Sequence, residues 1–322
     1  VLNTSNAGIT WTEQTNYSTK RRIYGVRILS QTAVMAACEG GVVMASPLRG
    51  SSWYRLSLEI TDENIIHSQM VSSDSGFIAC TNGVIYRTSN GGVDWTPQIV
   101  NPQAGDVSRI HFINRVQGLA LFRSGKIYRT QNAGNNWSEV YSQSVTLQDI
   151  KFATAARAFA VGQSDTSNGF LLRSTDAGIT FVPAQQFNGY LLTSIHFTDS
   201  LYGYISAVSG LNRSTVFRTT NGGIVWDSLP TPLPFSAFKV IFPDRFYGYI
   251  IGDRGRYSRT TNGGSVWVID SLPGEQLSDI NFPDAFRGAI VSLSGRIYYT
   301  NDAGNDWKRA AAPISVDYRT IS

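Results

Sequence analysis

Residues 219–226 read TTNGGIVW, and this eight-residue phrase is written eight times along the chain. The other copies are TSNAGITW at 4–11, SPLRGSSW at 46–53, TSNGGVDW at 88–95, TQNAGNNW at 130–137, STDAGITF at 174–181, TTNGGSVW at 260–267 and TNDAGNDW at 300–307. All seven tryptophans close a copy, with Phe181 in the remaining place, and the closing aromatics follow one another at intervals of 42, 42, 42, 44, 45, 41 and 40 residues. A period of this size marks an architecture of repeated supersecondary units. The tryptophans are therefore assigned to folding rather than to a ligand platform.

The phrase fits Ser/Thr-x-Asp/Asn-x-Gly-x-x-Trp/Phe, the Asp-box, and each position has a physical task. Its Asn or Asp accepts hydrogen bonds from nearby amides in a hairpin turn, the Ser or Thr hydroxyl adds a local bond, and the glycine permits positive φ. The closing aromatic folds back beneath the turn and buries a large apolar surface. Asn6, Asn90, Asn132, Asn221 and Asn262 stand where aspartate is more usual, Asp176 and Asp302 keep it, and Leu48 breaks the second copy, whose turn is expected to be held less well.

The rest of each unit repeats around the phrase. A first strand (VSRIHF, LQDIKF, LTSIHF, AFKVIF or LSDINF) is followed by a small residue, one of Gly118, Ala158, Gly203, Gly248 and Gly288. A second strand such as GLALF or GYIIG comes next, then a third such as KIYRT or TVFRT running into the phrase, and a fourth after it. Four short antiparallel strands in one period describe a propeller blade, and helical periodicity is absent. The expected fold is an all-β propeller forming one domain over 1–322. Seven complete blades lie in 22–311, with an N-terminal hairpin at 1–16 and a closing tail at 312–322. The preferred closure is an eighth blade shared by the two termini; seven blades with a peripheral hairpin is the alternative. The chain begins at Val1 inside a repeat without an initiator methionine, as a processed or trimmed protein would.

At 322 residues, 42% hydrophobic and 16% charged, the chain is a folded protein, and it has no apolar run of membrane-spanning length. A formal charge of +4 over this length does not mark a nucleic-acid binder, and two cysteines do not make a disulfide scaffold. Cys38 and Cys80 fall at equivalent places in consecutive units and read as small buried residues of second strands.

The eight boxes, with FPDRFYGYIIGDRGRYSRTTNGGSVW as the fullest unit, resemble the photosystem II stability/assembly factor family and the wider group of Asp-box (BNR) propellers. That resemblance implies a non-enzymatic, extracytoplasmic (periplasmic or secreted) protein that holds other proteins during assembly. Members are mostly seven-bladed, so the additional unit and the asparagine-rich boxes are departures. Sialidases carry the same turns, but their chemistry needs an arginine clamp, a tyrosine nucleophile and an acid at the ring centre. Their Arg-Ile-Pro signature is absent here, and Arg22-Ile23-Tyr24 is the nearest approach. Xyloglucan hydrolases with Asp-boxes place two aspartates in a cleft between two propellers, and one propeller fits this chain. No G-x-S-x-G elbow is present, and no catalytic residue or cofactor is assigned. A carbohydrate-active enzyme or glycan-binding module is the competing class.

Candidate binding residues come from what alternates and from what does not repeat. In the first strands Ile110, Ile150, Ile195, Val240 and Ile280 alternate with a polar set comprising Arg109, His111, Asp149, Lys151, Ser194, His196, Lys239, Asp279 and Asn281. Period two turns one set into the blades and the other toward the central channel. All three histidines (His67, His111 and His196) belong to the polar set, without clustered ligand spacing, and no metal is expected. Arg87, Arg129, Arg173, Arg218 and Arg259 precede the boxes and read as scaffold. The non-repeating basic residues, Lys20-Arg21-Arg22, Arg123, Lys126, Arg213, Arg254 and Arg256, fall in connections on the face opposite the boxes. The insertions GQSDTSNG at 162–169 and VSGLNRS at 208–214 and the proline-rich LPTPLPFS at 229–236 fall there too. The expectation is a protein partner, with a glycan as the other possibility, no nucleic acid and no membrane insertion.

Overall fold

The computed structural model describes residues 61–309 apart from 62, 64, 102–103, 165–167, 211, 231, 283 and 293–296, together with the backbone of six strand segments before residue 61. These residues form seven four-stranded antiparallel sheets and one two-stranded sheet. Each four-stranded sheet is a meander in chain order. Blade 1 comprises Ile23–Ile28, Val34–Cys38, Val43–Ser46 and Tyr54–Arg55; blade 2 comprises Ile65–Met70, Gly76–Cys80, Val84–Thr88 and Thr96–Ile99. Blade 3 is Val107–Phe112, Gly118–Phe122, Lys126–Thr130 and Ser138–Ser142, and blade 4 is Thr146–Phe152, Ala158–Gln163, Gly169–Ser174 and Val182–Phe187. Blade 5 is Tyr190–Phe197, Gly203–Ser209, Arg213–Thr219 and Asp227–Ser228, and blade 6 is Ala237–Ile241, Gly248–Gly252, Arg256–Thr260 and Val268–Ser271. Leu277–Asn281, Gly288–Ser292, Ile297–Thr300 and Lys308–Arg309 make blade 7.

At the N-terminus Leu2–Asn3 pairs with Thr12–Glu13 as a separate hairpin. The closing tail, the Lys20-Arg21-Arg22 run and the turn broken by Leu48 lie outside the described residues.

The phrase turns are built from their own atoms. In blade 5 the Thr219 hydroxyl accepts the Gly223 N–H at 2.9 Å, and the Asn221 side-chain oxygen accepts the amides of Ile224 and Val225 at 3.1 and 3.0 Å. The Gly222 N–H crosses to the carbonyl of Leu201, in the turn between first and second strands, at 2.8 Å. Two successive residues take positive φ here, Gly222 at 73° and Gly223 at 84°. The sequence reading foresaw only the second. Where alanine holds the first place, Ala133, Ala177 and Ala303 are driven to φ of 61°, 65° and 60°, a left-handed conformation that the surrounding hydrogen bonds must enforce. In blade 4 partial burial raises the Asp176 pKa, but bonds from the Thr180 hydroxyl and amide, Ser174 and the Ile179 amide outweigh it and bring the group down to about 2.

The core lies between neighbouring blades. Phe112, Phe197, Phe242 and Phe282, near the ends of first strands, stand edge-on to Trp137, Trp226, Trp267 and Trp307 of their own blades at 5.8–6.0 Å between ring centres. Each also stacks on a ring of the preceding blade, as Tyr204 does on Phe242 and Tyr249 on Phe282. The recurring small residue is explained by these rings, since a Cβ at Gly118, Gly203, Gly248 or Gly288 would overlap the phenylalanine. Cys80 is fully buried in its second strand, as expected from sequence, and burial pushes its thiol up to about 12.

Every four-stranded sheet carries a register shift near the start of its first strand, between Val107 and Arg109 in blade 3 and at the matching place elsewhere. Such a bulge inserts one unpaired residue and tightens the local twist. Ser108 and Thr193 occupy it in blades 3 and 5, and their hydroxyls donate back to the carbonyls of Leu121 and Ser206 at 3.1 Å.

Candidate functional site

The meander divides each blade between two faces. First-to-second turns and phrase turns share one face, where the amides of Ala133, Ala177, Gly222, Gly263 and Ala303 bond to the carbonyls of Val116, Ala156, Leu201, Phe246 and Phe286. Second-to-third and fourth-to-first connections therefore lie on the other, the loop face. Among the arginines before the phrase, Arg129, Arg218 and Arg259 are scaffold and reach across blades. The Nε of Arg129 donates to the Ala177 carbonyl at 2.7 Å, and Nη1 of Arg218 donates to the Gly263 carbonyl at 3.1 Å. Between blades 4 and 5 that task falls to Arg157, bonded to the carbonyls of Gly222 and Ser200 at 2.9 and 2.7 Å.

Gln69, His111, Asp149, His196 and Lys239, polar residues of the first strands, join one innermost strand to the next. Gln69 both donates to the Phe112 carbonyl at 2.9 Å and accepts the Phe112 amide at 2.8 Å. His111 Nδ1 accepts the Phe152 amide at 3.2 Å, and Asp149 Oδ2 accepts the Ile195 amide at 3.1 Å and the Ser194 hydroxyl at 3.3 Å. His196 Nε2 donates to the Phe242 carbonyl at 3.0 Å, and Lys239 pairs with Asp279. An innermost strand has no fifth strand to take up its outward amides and carbonyls, and these side chains take that place.

Electrostatics agree with a structural duty. Burial, reinforced by the nearby Lys151 ammonium, holds His196 at about 4 and His111 well below the ordinary histidine range. Both rings are thus neutral at physiological pH, and their bonds place the proton on Nε2. Asp149 and Asp279 are buried, and each also accepts the following amide, Ile150 or Ile280, at 2.9 Å. Arg109 is exposed at the channel, while Lys151 and Asn281 are partly buried.

On the loop face the three arginines separate. Arg256 donates to the Pro234 carbonyl and so holds the proline-rich segment. Arg213 is exposed within the 208–214 insertion, and Arg254, with φ of 55°, projects a side chain that is 76% exposed, 3.9 Å from Asp253. Asp106 and Asp253, both partly exposed, lie in connections of the same face, so its described part is mixed in charge rather than uniformly basic. The sequence reading missed a cleft of about 410 Å³ between blades 3 and 4, lined by Tyr141, Gln143, Val145 and Phe170 among others. Its signal was present only as a polar residue where other blades carry apolar ones.

The fold defines the class: the chain is a β-propeller of four-stranded antiparallel blades. No protein-family profile matches it, and no curated protein matches it in sequence. Among solved structures it resembles YCF48 from Cyanidioschyzon merolae, with a TM-score of 0.68 at 16% identity over 91% of this chain and 99% of that one. It is similar to YCF48 bound to D1 peptide, with a TM-score of 0.67 at 17% identity over 90% and 96% of the two chains. A GH74 xyloglucanase from Xanthomonas campestris aligns with a TM-score of 0.59 at 12% identity, over 97% of this chain and 64% of the enzyme.

Proposed function

We propose that this propeller is a non-enzymatic binding scaffold that engages a protein partner through the loop face opposite the Asp-boxes and the adjoining channel mouth. The observation that carries the reading is the division of labour among polar residues. Gln69, His111, Asp149, His196 and Lys239 of the first strands are engaged within the ring, whereas the exposed Arg213 and Arg254 and the insertions of this face do not recur. Variable loops on a rigid ring are where recognition commonly resides. The likeness to a propeller solved with a bound peptide supports the same reading. An extracytoplasmic location is part of the proposal and rests on the family resemblance.

Charge reversal of Arg213 and Arg254 together is expected to weaken capture of the native partner from cell extract without unfolding the ring, and unchanged capture counts against this face. The likeness to the xyloglucanase favours a second reading, a glycan-active protein. The Asp149 and Asp279 carboxylates, already accepting backbone amides in buried positions, are poorly placed to serve it. Turnover of sialosides or β-glucans that is lost on mutating Asp149 or Asp279 would reject the scaffold reading.

A further inference from the structure

One register position, traced through successive blades, shows which seam is incomplete. In blade 4 Phe187 pairs with Gly169, and its ring is buried between blades 4 and 5. In blade 5 Leu233 pairs with Ser214 through amide–carbonyl bonds of 2.8 and 2.7 Å and is buried between blades 5 and 6. In blade 6 the Leu272 amide donates to the Gly255 carbonyl at 2.8 Å, and the side chain packs between blades 6 and 7. Val100, the residue after the Ile99–Val84 pair, does the same between blades 2 and 3. In blade 3 the residue whose amide faces the Gly125 carbonyl, at 3.5 Å, is Gln143, and it is exposed.

The consequence is the cleft of about 410 Å³ between blades 3 and 4. Tyr141 and Val145 form one wall, and Phe170, Leu172 and Gln186 the other. None of the lining residues is charged. Among the described residues, neither the Tyr141 hydroxyl nor the Gln143 side-chain amide makes a hydrogen bond to the protein. An apolar floor rewards removal of apolar surface from water, while uncommitted hydroxyl and amide groups suit a backbone; a charged occupant would lose hydration without a counter-ion.

The molecule itself shows what such a seam accepts. Between blades 5 and 6 it is filled by Leu229, Leu233 and Phe235, the buried residues of the uncharged stretch LPTPLPFS. We infer that the seam between blades 3 and 4 is a docking cleft for an extended, uncharged, proline-containing peptide segment of the protein partner, which supplies the apolar side chain that Gln143 withholds. This deepens the protein-binding reading above and rests on it.

The test titrates fluorescein-labelled LPTPLPFS peptide into the full chain and reads anisotropy, with Gln143→Leu as the variant that plugs the seam from within. Saturable binding by the parent, weakened about tenfold or more in Gln143→Leu, is the expected result. The variant is also expected to melt no lower than the parent. Should Gln143→Leu fail to fold, Gln143→Glu places a charge at the same exposed site and is expected to weaken binding likewise. No saturable binding up to ~1 mM, or equal affinity in the folded variants, would overturn the inference. So would binding of a neutral β-glucan oligosaccharide, in place of the peptide, that the Gln143 variants abolish. Loss of partner capture on charge reversal at Arg213 and Arg254, with no peptide binding, would sink this inference and leave the proposed function standing.

Discussion

The two ends of a blade solve the same problem differently. At the phrase end every described copy uses one set of bonds: a hydroxyl and an Asn or Asp oxygen on local amides, and one amide carried to the neighbouring turn. At the loop end each seam is closed by whatever the connection supplies: Phe187 with Tyr190 and Phe217 in one, the proline-rich segment in the next, and an open cleft in a third. Uniform closure at one end gives the ring its rigidity. Freedom at the other lets single blades diverge without loosening the whole, and the candidate binding features gather there.

The largest effect that separates the two ends is expected from Trp226→Ala. Its indole is 4% exposed and lies edge-on to Phe159 and Phe197 of two blades. Truncation should destabilise the protein by about 3–5 kcal/mol in a urea melt, as for other buried aromatics. A loss below about 1 kcal/mol would mean that the phrase end is not what holds the ring.

Asp149→Leu addresses the channel. It leaves the buried Ile195 amide without its acceptor on the neighbouring blade, and a destabilisation of about 2–3 kcal/mol is expected by chemical denaturation. A neutral result would return Asp149 to the list of residues free for binding.

The smallest effect is one of pH. An unfolded histidine takes up its proton near pH 6.5, whereas burial and the neighbouring Lys151 delay His196 until about 4. Between these values the unfolded chain binds more protons, so stability from this source is complete above pH 6.5 and is lost as pH falls toward 4. His111, shifted in the same direction, adds to the slope. Melting temperature should therefore fall over this window, and His196→Gln should flatten the fall; an unchanged profile in the variant would remove His196 from the stitching between blades 5 and 6.

Much of the fold was legible because a repeat averages out local ambiguity. The spacing of Trp95, Trp137, Phe181, Trp226, Trp267 and Trp307 locates the turns, and Gly118 and its counterparts mark where an aromatic must lie over the chain. Period two along Arg109-Ile110-His111 identified the polar face of the first strands correctly. The duty of that face was not legible, since Asp149 finds its partner 46 residues away in the next blade, a contact that no local pattern encodes. The bulges escaped notice for a related reason. Ser108 and Thr193 are ordinary strand residues until the pairing with the second strand leaves each of them over in its own blade.

The sequence by itself determined the blade: its four strands, its turn chemistry and the aromatic beneath the turn, because these interactions are short in range and written again in each unit. Only the tertiary structure decided which polar side chains join neighbouring strands, which arginine holds a loop and which stands free, and which seam is left open. Those outcomes depend on what two different blades bring to one interface. A glutamine at position 143 becomes informative only when the residue opposite it, and the apolar residues at the same place in other blades, are seen together.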